Sequence, residues 1–479
     1  MTTERSFDAV VIGAGPGGYV AAIRLAQLGK RTALVEREAL GGTCLNWGCI
    51  PSKALIAAAN LVDDLRGASE RGIVGELRVD VAKLREFKEG VVRKLVGGIG
   101  TLEKGNGVEV IRGVATFTGP TTAEVELEGG TGAVRLVAPA FVVATGATPI
   151  DLPGFEVDGR DVWGAREALS LSEVPPRLAV IGGGVVGAEL GTVYSKLGSR
   201  VTFVEAQPNL LGICDPEAVR LVQKGFRQRG VVVRLGARAK GYERGADGLA
   251  LRVEVQGVEE LHAVDKVLVA VGFRPSVAGL GLERLGVRLD DRGFVVTDER
   301  CRTSVPSIYA VGDLAGPPLL AHKASREGEL AAEAIAGRPH LRRWKVIPSA
   351  VFTDPEIAHV GLLEEEARTK GVEVTVGKFA FGALGRAVAI DRGEGFVKVI
   401  AERASHRIVG VSLAGPEVCE LVAEAALAIE LEATLEDVAE TVHAHPTLAE
   451  ALMEACKVAL GCAVHALPRA ERPRRGEGG

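Results

Sequence analysis

The stretch FDAVVIGAGPGGYVAAIRLAQLGKRTALVE, residues 7–36, reads as a short buried strand, a glycine turn, a helix and a second strand ending in an acid. An apolar run bounded by glycines suits a strand covered on both faces, and the alanine-rich run behind Pro16 suits a helix. That order is a compact βαβ unit and opens a dinucleotide fold. Gly13, Gly15 and Gly18 form a G-x-G-x-x-G turn, in which backbone amides and a helix N-terminus approach a pyrophosphate closely. Glu36 ends the next strand, where a carboxylate accepts hydrogen bonds from ribose hydroxyls. A glycine triplet alone also serves tight packing, but here every part of the unit falls in order.

The fold is used twice. RLAVIGGGVVGAELGTVYSKLGSRVTFVE, residues 177–205, repeats the unit with Gly182, Gly184 and Gly187, and Glu205 ends its second strand. A carboxylate at that place favours a free 2′-hydroxyl and repels a 2′-phosphate, so NAD is expected rather than NADP. Around these units lie a helical stretch from Pro51 to about Arg66 and another near 81–103. Residues 108–138 carry an antiparallel strand pattern, and FVVATG at 141–146 reads as a strand returning to the first sheet. A Pro and Gly cluster at 149–154 marks a linker. After the second unit come KVLVAVGFRP at 266–275, VPSIYAVGD at 305–313 and a helix at about 322–336. Residues 347 onward mix strands and amphipathic helices. The expected class is therefore α/β, two dinucleotide-binding (Rossmann-like) domains with a C-terminal α+β domain. The expected boundaries are 1–149, 150–272, 273–346 and 347–467, with a further linker near Arg338–Trp344 and a disordered tail at 468–479.

The chemistry lies in GGTCLNWGCIPSK, residues 41–53, which sets Cys44 and Cys49 five positions apart beside the first nucleotide unit. In a straight helix, Cα atoms five apart lie roughly 8 to 9 Å from each other, beyond the about 7 Å limit for a disulfide. Closing a bridge needs a distorted turn, for which Gly48 supplies freedom, and Pro51 suits the first turn of the following helix. A bridge of that kind is reducible, so the pair reads as a redox-active dithiol. Nicotinamide transfers hydride whereas a disulfide accepts electrons through thiolate chemistry, and a flavin joins the two. One nucleotide site is thus expected to hold FAD and the other NAD.

The 479 residues are enough for about three domains; 57 basic against 62 acidic side chains, net −5, give no reason to expect nucleic acid or an anionic membrane as partner. No uninterrupted apolar run reaches membrane-spanning length, and a strand starting near Phe7 is expected to leave no room for a targeting segment. Seven cysteines with one motif-like pair do not suit a secreted disulfide framework, so a cytoplasmic location is expected.

Taken together, these motifs resemble the flavin-dependent pyridine nucleotide–disulfide oxidoreductase family, over essentially residues 5–467. GGTCLNWGCIPSK with HAHPTLAE at 443–450 is most similar to its branch that oxidises dihydrolipoyl groups. The resemblance implies that the first glycine turn binds FAD and the second NAD. It implies that Asp313 meets the ribityl chain, and that Ala144, Thr145 and Gly146 pass near the flavin; Gly272 joins the nucleotide-contacting set. Cys49 is then the thiol in contact with flavin, and Cys44 the outer thiol that exchanges with substrate. Lys53, four residues beyond Cys49, pairs in the family with the glutamate matching Glu189, beside the flavin and nicotinamide. A solvated Lys53 and a surface Glu189 are the plainer alternatives. His445 is implied as the proton acceptor, with Glu450 orienting it, although Thr447 and Glu450 also spell a helix capping box. His443 reads as structural. The resemblance further implies a homodimer whose subunits share active sites, serving lipoyl domains and the subunit-binding domain of a 2-oxo acid dehydrogenase acyltransferase. Competing readings are a glutathione- or mercuric-type reductase and a mainly structural docking subunit. Trp47 either tunes access or packs. No metal is expected, although Cys456, Cys462 and His465 lie close in sequence, and Cys214, Cys301 and Cys419 read as packing residues. Phe273 and the segment SREG at 325–328 depart from the family pattern away from the residues assigned to chemistry.

Overall fold

The computed structural model describes residues 3–130, 132–245, 248–338 and 344–467. The expected linker near 338–344 falls mostly outside these residues, and the expected tail at 468–479 wholly so. The chain divides into two compact units, one drawn from residues 1–208 and 233–343, the other from 209–232 and 344–479. Among the described residues no helix is long and apolar enough to cross a membrane.

The first unit is built on an eight-stranded sheet. Its order is Thr3–Ser6, Ala133–Val137, Thr122–Leu127, Glu109–Gly119, Thr32–Glu36, Ala9–Ile12, Phe141–Val143 and Ile308–Ala310. From Glu109–Gly119 to Ile308–Ala310 neighbouring strands are parallel. The segment 108–138 turns antiparallel as its alternation predicts, because Glu109–Gly119 is long enough to serve both halves. Ala9–Ile12 is buried throughout, and Val10, Ile12, Val35, Phe117, Phe141 and Val143 share one apolar cluster. Helix Pro16–Gln27 begins on a proline, whose missing N–H would lack an intrahelical partner there in any case.

The second repeat builds its own sheet, ordered Val232–Leu235, Arg200–Glu205, Arg177–Ile181, Lys266–Val269 and Val162–Trp163, with parallel pairing through its centre. Between the repeats the 149–154 cluster behaves as a linker only in part. Pro149 closes a strand, Ala147–Pro149, that pairs antiparallel with Phe273–Pro275. Each of these strands directly follows the end of one repeat. The crossing is reciprocal, since Ser276 N–H donates to the Gly146 carbonyl and Ile150 N–H to the Gly272 carbonyl, both at 3.0 Å.

The C-terminal unit has the α+β character read from its sequence. Five strands, Ser349–Val351, Glu356–Gly361, Ile408–Gly415, Phe396–Glu402 and Val374–Ala380, pair antiparallel in that order. Helices Val418–Glu430, Leu435–Glu440 and Glu450–Leu460 close one face through Val397, Val399, Val411, Leu413, Val422, Ala425, Leu435 and Leu452. The opposite face carries a polar row, because partners across strands share a face: His359, Ser412, Lys398 and Lys378 stand side by side. Helix Pro216–Gln228 belongs to this unit despite lying within the second repeat in sequence. Its N-cap Asp215 accepts from the Lys398 ammonium at 2.8 Å, and Glu217 lies 2.5 Å from Lys398 and 2.6 Å from Lys378.

Asp215 and Lys398 are 2% and 4% exposed, so removing the lysine leaves the Asp215 carboxylate buried without its ammonium partner. Lys398→Met is expected to cost about 3–5 kcal/mol, read as a lower denaturation midpoint of circular dichroism; an unchanged midpoint would remove the pair from the account. Burial opposes ionisation of Glu217, but hydrogen bonds from Lys378 and Lys398 outweigh it and pull its carboxyl down to about 2. A folded pKa lowered in this way stabilises above the ordinary glutamate value and fades as pH falls towards the folded one. The stability gap between wild type and Glu217→Gln should therefore be full at neutral pH and close as pH falls towards about 2.

Candidate active site

Both glycine turns are shaped by a carbonyl from the neighbouring parallel strand. A Cβ at Gly13 would lie 2.5 Å from the Ala144 oxygen, and one at Gly182 would lie 2.3 Å from the Ala270 oxygen. A Cβ at Gly18 or Gly187 would meet the turn itself, at 1.8 Å from the Gly13 oxygen and 2.1 Å from the Gly182 oxygen. Gly15 and Gly184 are different, since a Cβ there meets nothing within 4 Å. The close positions let the helix sit down on the strand, and the open one leaves room where a pyrophosphate approaches the helix N-terminus. The two acids match equally well. Glu36 accepts from Ala14 N–H at 2.7 Å and Glu38 N–H at 2.6 Å, and Glu205 from Gly183 N–H at 2.5 Å and Gln207 N–H at 2.6 Å. Each carboxylate is thus fixed at the mouth of its turn, with acceptor capacity left for ribose hydroxyls. The residues present fit two dinucleotides.

Three adjacent parallel strands end together beside the first turn, the place where open α/β sheets bind ligands. Ile12 leads into Gly13, Val143 into Ala144, Thr145 and Gly146, and Ala310 towards Asp313. Thr145 Oγ1 donates to the Ser276 carbonyl at 2.8 Å, which ties this segment to the crossing strands. Asp313 lies in the turn Gly312–Ala315, where burial raises its carboxyl pKa, Lys323 opposes the rise and Glu327 adds to it. Gly272, at φ +115°, occupies in the second repeat the place of Gly146 in the first.

The cysteines sit on either side of a helix break. Cys44 lies in helix Gly42–Trp47 and Cys49 opens helix Cys49–Gly67, with Gly48 between them at φ −141°, ψ −115°. A Cβ on Gly48 would come within 2.8 Å of the Thr43 carbonyl, so the sharp turn requires glycine. Pro51 is the third helical residue, still within the stretch whose amides need no intrahelical acceptor. Both thiols are unbridged. The Cys44 thiol donates a hydrogen bond to the Cys49 sulfur, which lowers the Cys49 pKa to about 7 against the opposing effect of burial; the Lys53 ammonium lowers it further. The same bond, with burial, holds the proton on Cys44, whose pKa is raised.

Lys53 is no solvated lysine. Its ammonium lies 3.0 and 2.8 Å from the two oxygens of Glu189, which is 4% exposed in helix Val185–Leu197. The pair joins the dithiol helix to the first helix of the second repeat. Trp47 also has a partner: the Arg166 guanidinium stacks 4.2 Å from its ring centroid and binds Glu38 at 2.7 Å. No local pattern in the sequence marks Arg166, because the contact depends on the packing of helix Ala165–Ser170.

In the C-terminal unit, His445 Nδ1 lies 2.9 Å from Glu450 Oε1, and the imidazole side chain is 77% exposed. With Nδ1–H donating to a carboxylate, Nε2 of the neutral ring is an acceptor. Helix Glu450–Leu460 opens on Glu450 itself, with Ala449 as its N-cap, so Thr447 does not cap it as the box predicts; the second Glu450 oxygen accepts from Thr447 N–H at 2.8 Å. The reciprocal half of a capping box is absent, as Thr447 Oγ1 donates instead to the Ala444 carbonyl at 2.8 Å. His443 is held structurally, between the Thr441 carbonyl at 2.9 Å and Glu424 at 2.8 Å. Cys456 and Cys214 are buried, which pushes each thiol up to about 12, and His465 pairs with Glu454 at 3.0 Å. Among the described residues no group of three His, Cys, Asp or Glu side chains could hold a metal.

Known proteins resemble this chain over nearly its full length. The family described as pyridine nucleotide-disulphide oxidoreductase matches residues 7–328, and its dimerisation domain matches residues 347–456. The chain is 48% identical to the dihydrolipoyl dehydrogenase of Thermus scotoductus, over 97% of this chain and 100% of that one. Against the dihydrolipoyl dehydrogenase of Geobacillus stearothermophilus it is 44% identical, over 96% and 98%. Among solved structures it resembles LpdA from Mycobacterium tuberculosis, with a TM-score of 0.87 and 28% identity over 95% of this chain and 99% of that one. It also resembles RclA from Escherichia coli, a HOCl-induced flavoprotein disulfide reductase, with a TM-score of 0.83 and 26% identity over 94% and 99%. With two nucleotide cradles, a dithiol and these matches, the chain belongs to the pyridine nucleotide-disulphide oxidoreductase family.

Proposed function

We propose that this protein is a dihydrolipoyl dehydrogenase, oxidising protein-bound dihydrolipoyl groups to lipoyl disulfide with NAD as final acceptor. The observation that carries the reading is the pair of unbridged thiols set across the Gly48 break beside the first nucleotide turn, on the helix whose Lys53 is held by Glu189. Such a pair needs a base for the exchange at Cys44, and the His445–Glu450 pair has the tautomer for it. The full-length likeness to curated dihydrolipoyl dehydrogenases supports the substrate.

FAD, when bound, supplies the two-electron relay between thiol chemistry and hydride transfer. The first glycine turn with Glu36, Ala144, Thr145, Gly146, Lys53 and Asp313 would hold it; Gly182, Gly184, Gly187, Glu205 and Gly272 would hold NAD. In the oxidised form His445 Nε2 takes a proton from one substrate thiol. The resulting thiolate attacks Cys44, and the Cys44–Cys49 bond breaks with Cys49 leaving as a thiolate that Lys53 stabilises. The second substrate thiol attacks the mixed disulfide, lipoyl disulfide departs, Cys44 recovers the first proton from His445, and His445 takes up the proton of the second thiol. Substrate loses two electrons and the cysteine pair gains them. The second subunit of a homodimer supplies His445 to the Cys44 of the first, which the dimerisation-domain match supports. The same reading makes the protein a cytoplasmic component serving lipoyl domains and an acyltransferase's subunit-binding domain, and divides it at 1–149, 150–272, 273–346 and 347–467. A glutathione or mercuric reductase would draw on NADPH, whose 2′-phosphate Glu205 disfavours.

The deciding assay is NADH formation from dihydrolipoamide and NAD, run beside NADP and beside NADPH with oxidised glutathione. Fast NADH formation alone is expected; activity only with NADPH and glutathione would overturn the assignment. His445→Gln should lower dihydrolipoamide oxidation by about 10²–10⁴-fold while FAD stays bound, and unchanged turnover would remove His445 from the mechanism. In reduced holoprotein, the long-wavelength absorbance of the Cys49 thiolate against flavin should fade as pH falls through about 7. Lys53→Met removes a charge that favours the thiolate, so the midpoint should move up.

A further inference from the structure

Beneath the turn Gly312–Ala315 lies an ion pair with no role in the chemistry described above. Lys323 and Glu327 stand one turn apart on helix Ala321–Ile335, are 5% and 4% exposed, and lie 3.1 Å from each other. Neither spends its capacity on the partner alone. Glu327 Oε2 accepts from Gly312 N–H at 2.8 Å, while the Lys323 ammonium donates to the Gly316 carbonyl at 2.9 Å and the Gly312 carbonyl at 3.3 Å. The two side chains therefore grip both ends of the turn that carries Asp313, one by its amide and one by its carbonyls. Their helix is itself anchored to the first repeat, where Arg24 of helix Pro16–Gln27 binds Glu333 at 2.9 Å.

We propose that Lys323 and Glu327 are positioning residues for the flavin: a buried pair that sets the Gly312–Ala315 turn and, through it, the Asp313 carboxylate. The proposal rests on the reading that Asp313 meets the ribityl chain of FAD. The pair is suited to the task because both partners are satisfied by protein groups alone, so the turn is held in place without the cofactor. The ammonium also opposes the burial that raises the Asp313 carboxyl pKa. Lysine and arginine both carry the charge, but only an ammonium is compact enough to reach two carbonyls and a carboxylate from one atom.

The test is the rate of FAD release from purified holoprotein, followed by the rise of flavin fluorescence on dilution into native buffer. Lys323→Met should release FAD at least about tenfold faster than wild type, the factor that one hydrogen bond to a charged group is worth. Lys323→Arg should recover part of that loss, and Glu327→Gln should fall between. Lys398→Met, which removes a comparable buried charge from the C-terminal unit, is the control and should release FAD at the wild-type rate. Wild-type release from Lys323→Met, or equal acceleration in Lys398→Met, would overturn the proposal. If Lys323→Met does not fold, Glu327→Gln decides, and wild-type release from it overturns the proposal equally. Wild-type protein that holds no FAD would remove the flavin reading itself, an outcome distinct from either.

Discussion

A carbonyl oxygen pressed against a glycine α-carbon governs how both nucleotide modules are put together. At Gly13 and Gly182 the space that a side chain would need is filled by the oxygens of Ala144 and Ala270. Because that approach is so close, the first strand of each repeat, the turn and the strand beside it converge on one point. The acids Glu36 and Glu205 are then tied to the same turns through backbone amides. The carboxylate position is thus set by the turn and is independent of any ligand. The Asp313 turn and the dithiol helix are placed relative to this fixed point.

What was legible in the sequence was what is local. Glycine spacing, strand runs and the acid closing each repeat need only near neighbours along the chain, and the structure has them where the pattern puts them. The break at Gly48 was also legible, since it follows from the reach of a disulfide. The antiparallel segment at 108–138 was visible in its alternation. Contacts between distant segments were not. The spacing of Lys53 from Cys49 says which face of a helix it shares, but only packing brings Glu189 to it. Trp47 remained undecided because its partner, Arg166, is on another helix with no signature of its own. The segment at 325–328 was read as lying away from the chemistry, whereas Glu327 binds the amide next to Asp313. Helix Pro216–Gln228 looks in sequence like part of the second repeat, yet the buried Asp215–Lys398 pair binds it into the C-terminal unit.

The dithiol shows how two like groups acquire different properties from one hydrogen bond. Donating that bond costs Cys44 its acidity and gives Cys49 a stabilised anion. Lys53 adds to the effect, but Glu189 works against it at Cys49, so the ion pair supplies position more than field. Two carboxylate oxygens hold the ammonium, and its charge acts on the Cys49 sulfur from that place. Desolvation alone would have raised both thiols. The asymmetry is therefore a product of arrangement.

The two short strands between the repeats have a consequence for how the gene can be edited. Pro149 and Phe273 are paired neighbours, so the chain that enters the second repeat and the chain that leaves it stand side by side. Such an insertion invites exchange as a cassette, with a tight turn in its place or a relative's repeat spliced between the same two residues. The splice is not free, because the cassette carries helix Pro216–Gln228 with it, and that helix covers charged side chains of the C-terminal sheet. A transplanted repeat must bring its own acids for Lys398 and Lys378, or the recipient's lysines must be changed to match. Exchanging this module thus also alters the contacts that helix Pro216–Gln228 and its N-cap make with Lys398 and Lys378.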